Sequence, residues 1–120
     1  MTMRDNMCDG IILNEINLLT LDEVDDNNIL FSSREINKTL DFIEEHDIEI
    51  PCMYKNKTIG KVEKFYLLDS YLYADLIITE DNMEDHLNDF KLDFNYNIDS
   101  HYNDFADLAV NIKFKRVIVD

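Results

Sequence analysis

Tryptophan is absent from this 120-residue chain, proline occurs once and glycine twice. Such sparse use of glycine and proline excludes collagen-like, linker-like and low-complexity classes. Cysteine is also scarce: Cys8 and Cys52 stand far apart, with no close spacing. They read as free thiols in a reducing compartment, not as a disulfide framework or a zinc pair. No run of about 18 apolar residues is present, so no stretch is suited to span a membrane as a helix. The opening residues Met1-Thr2-Met3-Arg4-Asp5-Asn6 are polar and lack the apolar stretch of a signal peptide. A cytoplasmic protein is therefore expected.

Positive charge is the remaining scarcity. Eleven Lys and Arg face 26 Asp and Glu, a formal net charge of −15. A body this acidic repels nucleic acid and anionic membrane and attracts basic protein surfaces. What is plentiful is core material. The hydrophobic fraction is 46%, with six Tyr and seven Phe, which argues for a folded chain despite the charge. The length fits one domain, residues 1–120.

Local patterns predict the elements. Ile11 to Leu21 reads as an edge strand, Asp22 to Asn28 as an acidic turn, and Ile29 to Ser32 as a short extended piece. Ser32-Ser33-Arg34-Glu35 has capping-box spacing, and Ile36, Leu40 and Ile43 follow at helical spacing. A helix over 33–46 is expected. Ile48 to Tyr54 is the next extended run, with Pro51 placing it at an edge or a bulge. Thr58 to Leu68 and Tyr71 to Thr79 read as a hairpin joined tightly at Asp69-Ser70. Asp81-Asn82-Met83-Glu84 repeats the capping spacing, and Met83, Leu87 and Phe90 predict a second short helix. Leu92, Phe94, Tyr96 and Ile98 alternate strictly with polar residues, the pattern of a strand buried on one face. Leu108, Val110, Ile112 and Phe114 alternate again, and the shift at Lys115-Arg116 predicts a bulge. The expected class is α+β: five to seven mainly antiparallel strands in a sheet or small partly open barrel, with two short helices.

The charge is segregated along the chain. Glu15 to Glu49 holds 11 acids and two bases, and Asp69 to Asp107 holds 11 acids and one base. Between them, Lys55, Lys57, Lys61 and Lys64 face a single Glu63. The exposed rows on the two predicted helices suit a basic partner: Glu44, Glu45 and Asp47 on the first, Glu84, Asp85 and Asp89 on the second. One reading is a solvated coat with acids at helix N-termini. The sharper one is mimicry of nucleic-acid phosphates, filling the basic groove of a nucleic-acid-binding protein.

Chemistry-bearing motifs are missing. Gly10 and Gly60 stand alone, so there is no phosphate loop, and His46, His86 and His101 are scattered. Asp99, His101 and Asp104 arise easily by chance in so acidic a loop, and Asp22 to Asn28 lacks the central glycine and terminal glutamate of a calcium loop. Ser100 beside His101 is adjacent in sequence, which is not the spatial relation a nucleophile and base require. No catalytic residue, cofactor or metal is expected.

Ile50-Pro51-Cys52-Met53-Tyr54-Lys55-Asn56-Lys57-Thr58-Ile59-Gly60-Lys61-Val62 resembles a segment of the tailed-phage prohead maturation proteases. So do Leu72-Tyr73-Ala74-Asp75-Leu76 and, after an intervening helix, Leu92-Asp93-Phe94-Asn95-Tyr96. The resemblance spans roughly Ile29 to Val119. In that family an extended run reaches a catalytic histidine just before the Ile-Gly-Lys-Val-like strand, and a later strand carries the nucleophilic serine. This chain has Lys55-Asn56-Lys57 at the first place and Asp93 at the second. An aspartate cannot replace a serine in acyl transfer. The resemblance thus implies a shortened, non-enzymatic relative.

Two functions follow as expectations. The first is an acidic, phage-encoded inhibitor of a host nucleic-acid-binding protein, such as a defence nuclease. The alternative is a virion or head-assembly protein derived from a prohead protease fold. Its contact surface would lie on the hairpin strands and the final strand, with Tyr71 and Tyr73 as anchors.

Overall fold

The computed structural model describes residues 10–100 and 106–120. Cys8, His101, Asp104 and the N-terminal residues of the sequence reading lie outside that range. The elements are β1 (Ile11–Thr20), β2 (Ile29–Leu30), α1 (Ser33–Glu45), β3 (Pro51–Tyr54), β4 (Lys57–Leu68), β5 (Tyr71–Ile78), β6 (Phe90–Asp99) and β7 (Asp107–Val119). One mixed sheet of seven strands curls into a half-barrel. β1, β5, β4 and β3 pair antiparallel in that order. β3 then joins β7 in parallel, and β6 lies antiparallel to β7. β1 comes close to β6, but no strand ladder joins them.

Local chemistry accounts for the joints. Lys55 and Asn56 have φ of 49° and 65°, and Asp69 and Ser70 have φ of 50° and 66°. Two consecutive left-handed residues make a type I′ turn, whose twist matches that of paired strands. Leu68 therefore faces Tyr71, and Tyr66 faces Tyr73. Pro51 is the first residue of β3, paired with Lys61 of β4, whereas β7 joins only from Cys52 onward. The proline's missing donor thus falls where no β7 ladder exists. β3 is otherwise an interior strand, not an edge.

Leu108 has Asp99 on one side and Leu30 on the other, and Val117 has Leu92 and Cys52. β2 and β3 therefore lie in line along one edge of β7, separated by about 30 Å of strand. The 13 residues of α1 cover about 20 Å of that gap. Thr39 Oγ1 donates to the Ile112 carbonyl at 2.7 Å, satisfying a β7 acceptor in the gap.

The helix starts at the predicted cap: Ser32 Oγ accepts from the Glu35 amide at 3.1 Å. The reciprocal half of the capping box is replaced, because the Glu35 carboxylate takes Lys38 Nζ at 2.9 Å. The helix ends in a Schellman arrangement. Asp47 is left-handed at φ 52°, its amide donates to Glu44, and the Ile48 amide donates to Ile43.

The second predicted helix is a correction. It reduces to a 3-10 turn, Glu84–His86, entered at Met83 with no side-chain cap. Its apolar stripe is divided, since Met83 joins the core and Phe90 opens β6, whose ladder satisfies the backbone instead. Among the described residues no helix is long and apolar enough to cross a membrane.

The core gathers Leu21, Ile36, Ile59, Leu72, Leu76, Ile78, Val117 and Val119, all almost wholly enclosed. In β7 the buried row runs Ala109, Ile112, Phe114, Val117, Val119. Steps of three break the alternation twice. One break leaves Lys115 without a partner on β6, at the predicted bulge; the other falls by Asn111, at φ 52°. That second bulge buries Ala109 in place of the expected Leu108 and Val110. The regular pattern of β6 also misled: Leu92 is buried, but Tyr96 and Ile98 are exposed.

Candidate interaction surface

Strand β5 alternates without a break. Leu72, Ala74, Leu76 and Ile78 are buried, which turns Tyr71, Tyr73, Asp75 and Ile77 to the other face. The Asp69-Ser70 turn sets Tyr66 of β4 opposite Tyr73, with ring centroids 5.7 Å apart and stacked. Tyr71 extends the row at 6.2 Å from Tyr73, and the exposed Leu68 faces Tyr71 across the ladder. Lys64 Nζ lies 5.5 Å from the centre of the Tyr66 ring and 3.6 Å from Asp75 Oδ2. Partial loss of hydration, then the Asp75 and Glu15 carboxylates, push the Tyr66 hydroxyl above its ordinary pKa. These side chains form an aromatic platform with a cation and a carboxylate at one end. Such a platform offers large contact area at low entropic cost. The sequence reading named Tyr71 and Tyr73 and missed Tyr66. The two-residue turn was the available signal, because it fixes which β4 residue faces Tyr73.

Asp93 and the Lys55–Lys57 stretch, singled out in the sequence, fall on β6 and around the β3–β4 turn. Asp93 on β6 faces Arg116 on β7, and Arg116 Nε donates to Asp93 Oδ2 at 2.8 Å. Arg116 Nη1 lies 3.8 Å from the Met53 sulfur on β3. Lys55 and Asn56 form the β3–β4 turn, with Lys55 Nζ 5.3 Å from the Tyr54 ring centre. His86 also packs at this strand end: its ring is 5.3 Å from that of Tyr54, and Nδ1 is 3.4 Å from the tyrosine hydroxyl. Met53, Tyr54, Lys55, Asn56 and Arg116 border a cleft of about 310 Å³. Its polar groups can bind, and Asp93 is already committed to a guanidinium. Among the described residues no group of three or more His, Cys, Asp or Glu is placed to hold a metal.

All six acids of the predicted partner face are exposed. Glu44, Glu45 and Asp47 sit where α1 leads toward the Pro51 end of β3. Glu84 and Asp85 belong to the turn whose His86 meets Tyr54 at the other end. The fold thus sets the two rows at opposite ends of one strand. The Asp89 carbonyl accepts from the Asp120 amide at 2.9 Å, tying that residue's backbone to the end of β7.

The lysine-rich strand is not a free basic patch. Lys57 pairs with Glu80 at 2.5 Å, Lys61 with Glu49 at 3.2 Å, and Lys64 with Asp75 at 3.6 Å. All three of its lysines are thus matched by acids from the flanking tracts; Lys55, the fourth of the run, lies in the turn before the strand. The sign reversal along the sequence becomes local neutralisation in space.

No protein-family model matches the sequence, and no curated protein matches it. Among solved structures, the fold resembles that of the bacteriophage T4 capsid assembly protease. The TM-score is 0.62, with 92% of each chain covered at 11% identity.

Proposed function

We propose that this chain is a non-enzymatic protein-binding module of virion or head assembly, standing on the fold of a capsid assembly protease. The fold likeness over 92% of both chains carries the reading. The Asp93–Arg116 pair supports its non-catalytic half, since it occupies the strand position where the resemblance places a serine. The contact surface is the Tyr66, Tyr71 and Tyr73 platform. Tyrosine is among the residues that carry most binding energy at protein interfaces. The acids Glu44, Glu45, Asp47, Glu84, Asp85 and Asp89 remain available to a basic region of the same partner. The fold likeness is to a capsid assembly protein and not to an inhibitor, so the assembly reading stands first.

Co-sedimentation with virus particles or their assembly intermediates tests this. The wild-type chain is expected in the particle fraction. A Tyr71→Ala/Tyr73→Ala variant of unchanged melting temperature should fall at least about tenfold, the scale of 1.4 kcal/mol. A wild-type chain missing from every particle fraction rules the reading out. Hydrolysis that survives Ser32→Ala, Ser33→Ala and Ser100→Ala but not Asp93→Asn would overturn the non-enzymatic half.

A further inference from the structure

A second surface lies away from the tyrosine platform. An open groove of about 700 Å³ runs between α1 and the middle stretches of β6, residues 95–97, and β7, residues 111–114. Along the helix it is lined from Glu35 to Phe42, about 10 Å, and then by Ile48. Phe42 is 49% exposed, Ile48 40% and Tyr96 37%, and all three line the groove. Ile98, 43% exposed, continues the row two residues further along β6. Clustered apolar exposure of this kind marks an interaction site more often than scattered residues do.

The groove's lining holds two bases and one acid, in a chain of net charge −15. Its ionisable lining is Glu35, Lys38 and Lys113, and Glu35 is taken up by Lys38 at 2.9 Å. Lys113 has no ion pair among the described residues. The Asn97 and Asn111 side chains, joined at 3.3 Å, add amide groups suited to a peptide backbone. β6 is bonded to β7 along one edge, and among the described residues no strand is hydrogen-bonded to the other, which β1 only approaches.

We propose that this groove takes an extended segment of a partner protein in which apolar side chains are accompanied by an acidic one. The apolar groups cover Phe42, Ile48 and Tyr96, and the carboxylate meets Lys113. The length fits about three residues of extended chain at 3.3 Å each. This assignment does not rest on the assembly reading, because it uses none of the platform residues.

The test is an amide-resolved NMR titration of the full chain with three synthetic nonapeptides. In each, leucine and phenylalanine alternate with a second residue: glutamate, lysine or serine. The glutamate peptide is expected to shift the Phe42, Tyr96 and Lys113 signals saturably. It should bind about fivefold more tightly than the serine peptide, the scale of one partly exposed ion pair. Lys113→Glu should reverse the preference in favour of the lysine peptide, an effect that a folding defect does not produce. Phe42→Ser should weaken all three. Equal binding of the glutamate and lysine peptides, or no saturable change at the groove, overturns the proposal. Concentration-dependent shifts there without peptide also overturn it, by making a second copy of this chain the occupant.

Discussion

Arg116 Nε and Asp93 Oδ2 lie 2.8 Å apart because a bulge at Lys115 brings the guanidinium into register with the carboxylate on the neighbouring strand. In regular continuation of the ladder from Phe94 and Phe114, Lys115 would face Asp93, and Arg116 would face Leu92 on the other side of the sheet. Both side chains are partly solvated, at 38% and 28% exposure. A double-mutant cycle over Asp93→Ala and Arg116→Ala should give a coupling of about 1 kcal/mol, the upper end for solvated pairs. It should shrink in high salt. Denaturant melts of the four proteins measure it, and strict additivity would show the pair to be energetically idle.

Thr39 supplies a bond that no strand can supply. Thr39→Val keeps the shape and leaves the Ile112 carbonyl unsatisfied, at a cost of about 2 kcal/mol. Thr39→Ser should retain most of the stability. Urea unfolding midpoints separate the two, and a Thr39→Val protein as stable as wild type, with the loss in Thr39→Ser instead, would mean that the methyl group, not the hydroxyl, matters.

Gly60 stands where β4 and β5 approach closely. A Cβ built there would lie 2.0 Å from the Ile77 carbonyl oxygen, and backbone cannot step aside as a flexible side chain can. Gly60→Ala should cost about 3 kcal/mol or prevent folding. A melting temperature within a few degrees of wild type contradicts the close approach.

Cys52 is buried, and burial pushes its thiol from the ordinary 9.0 up to about 11. The folded state holds this proton more tightly than the unfolded state. The resulting stabilisation is complete below about pH 9 and is lost as pH rises toward about 11. In a Cys8→Ser background, a thiol-specific reagent at pH 8 should modify the chain only as fast as it unfolds. Rapid modification of the native protein would place Cys52 at the surface.

Features set by neighbours in the chain were legible. Asp69-Ser70 announced a hairpin, Ser32 a helix start, and Lys115-Arg116 a bulge, because each depends on a few consecutive residues. Met83, Leu87 and Phe90 failed as a helix for the complementary reason. Three apolar residues at helical spacing show which could share a face, but the core claimed Met83 and the β7 ladder claimed Phe90. Of the candidate surface, Tyr71 and Tyr73 were visible in the alternation of β5, and Tyr66 only through the register.

The sequence by itself determined the order of strands and turns, the first of its two expected helices, the acidity, and the aspartate at position 93. Tertiary structure alone decided what each face meets. It matched Lys57, Lys61 and Lys64 with acids 11 to 23 residues away in sequence, which dissolved the apparent basic patch. It left Tyr96 and Ile98 uncovered although their pattern is that of a buried row. Periodicity specifies which side chains point the same way; whether another element covers them depends on how the sheet curls and where α1 fills the gap along β7.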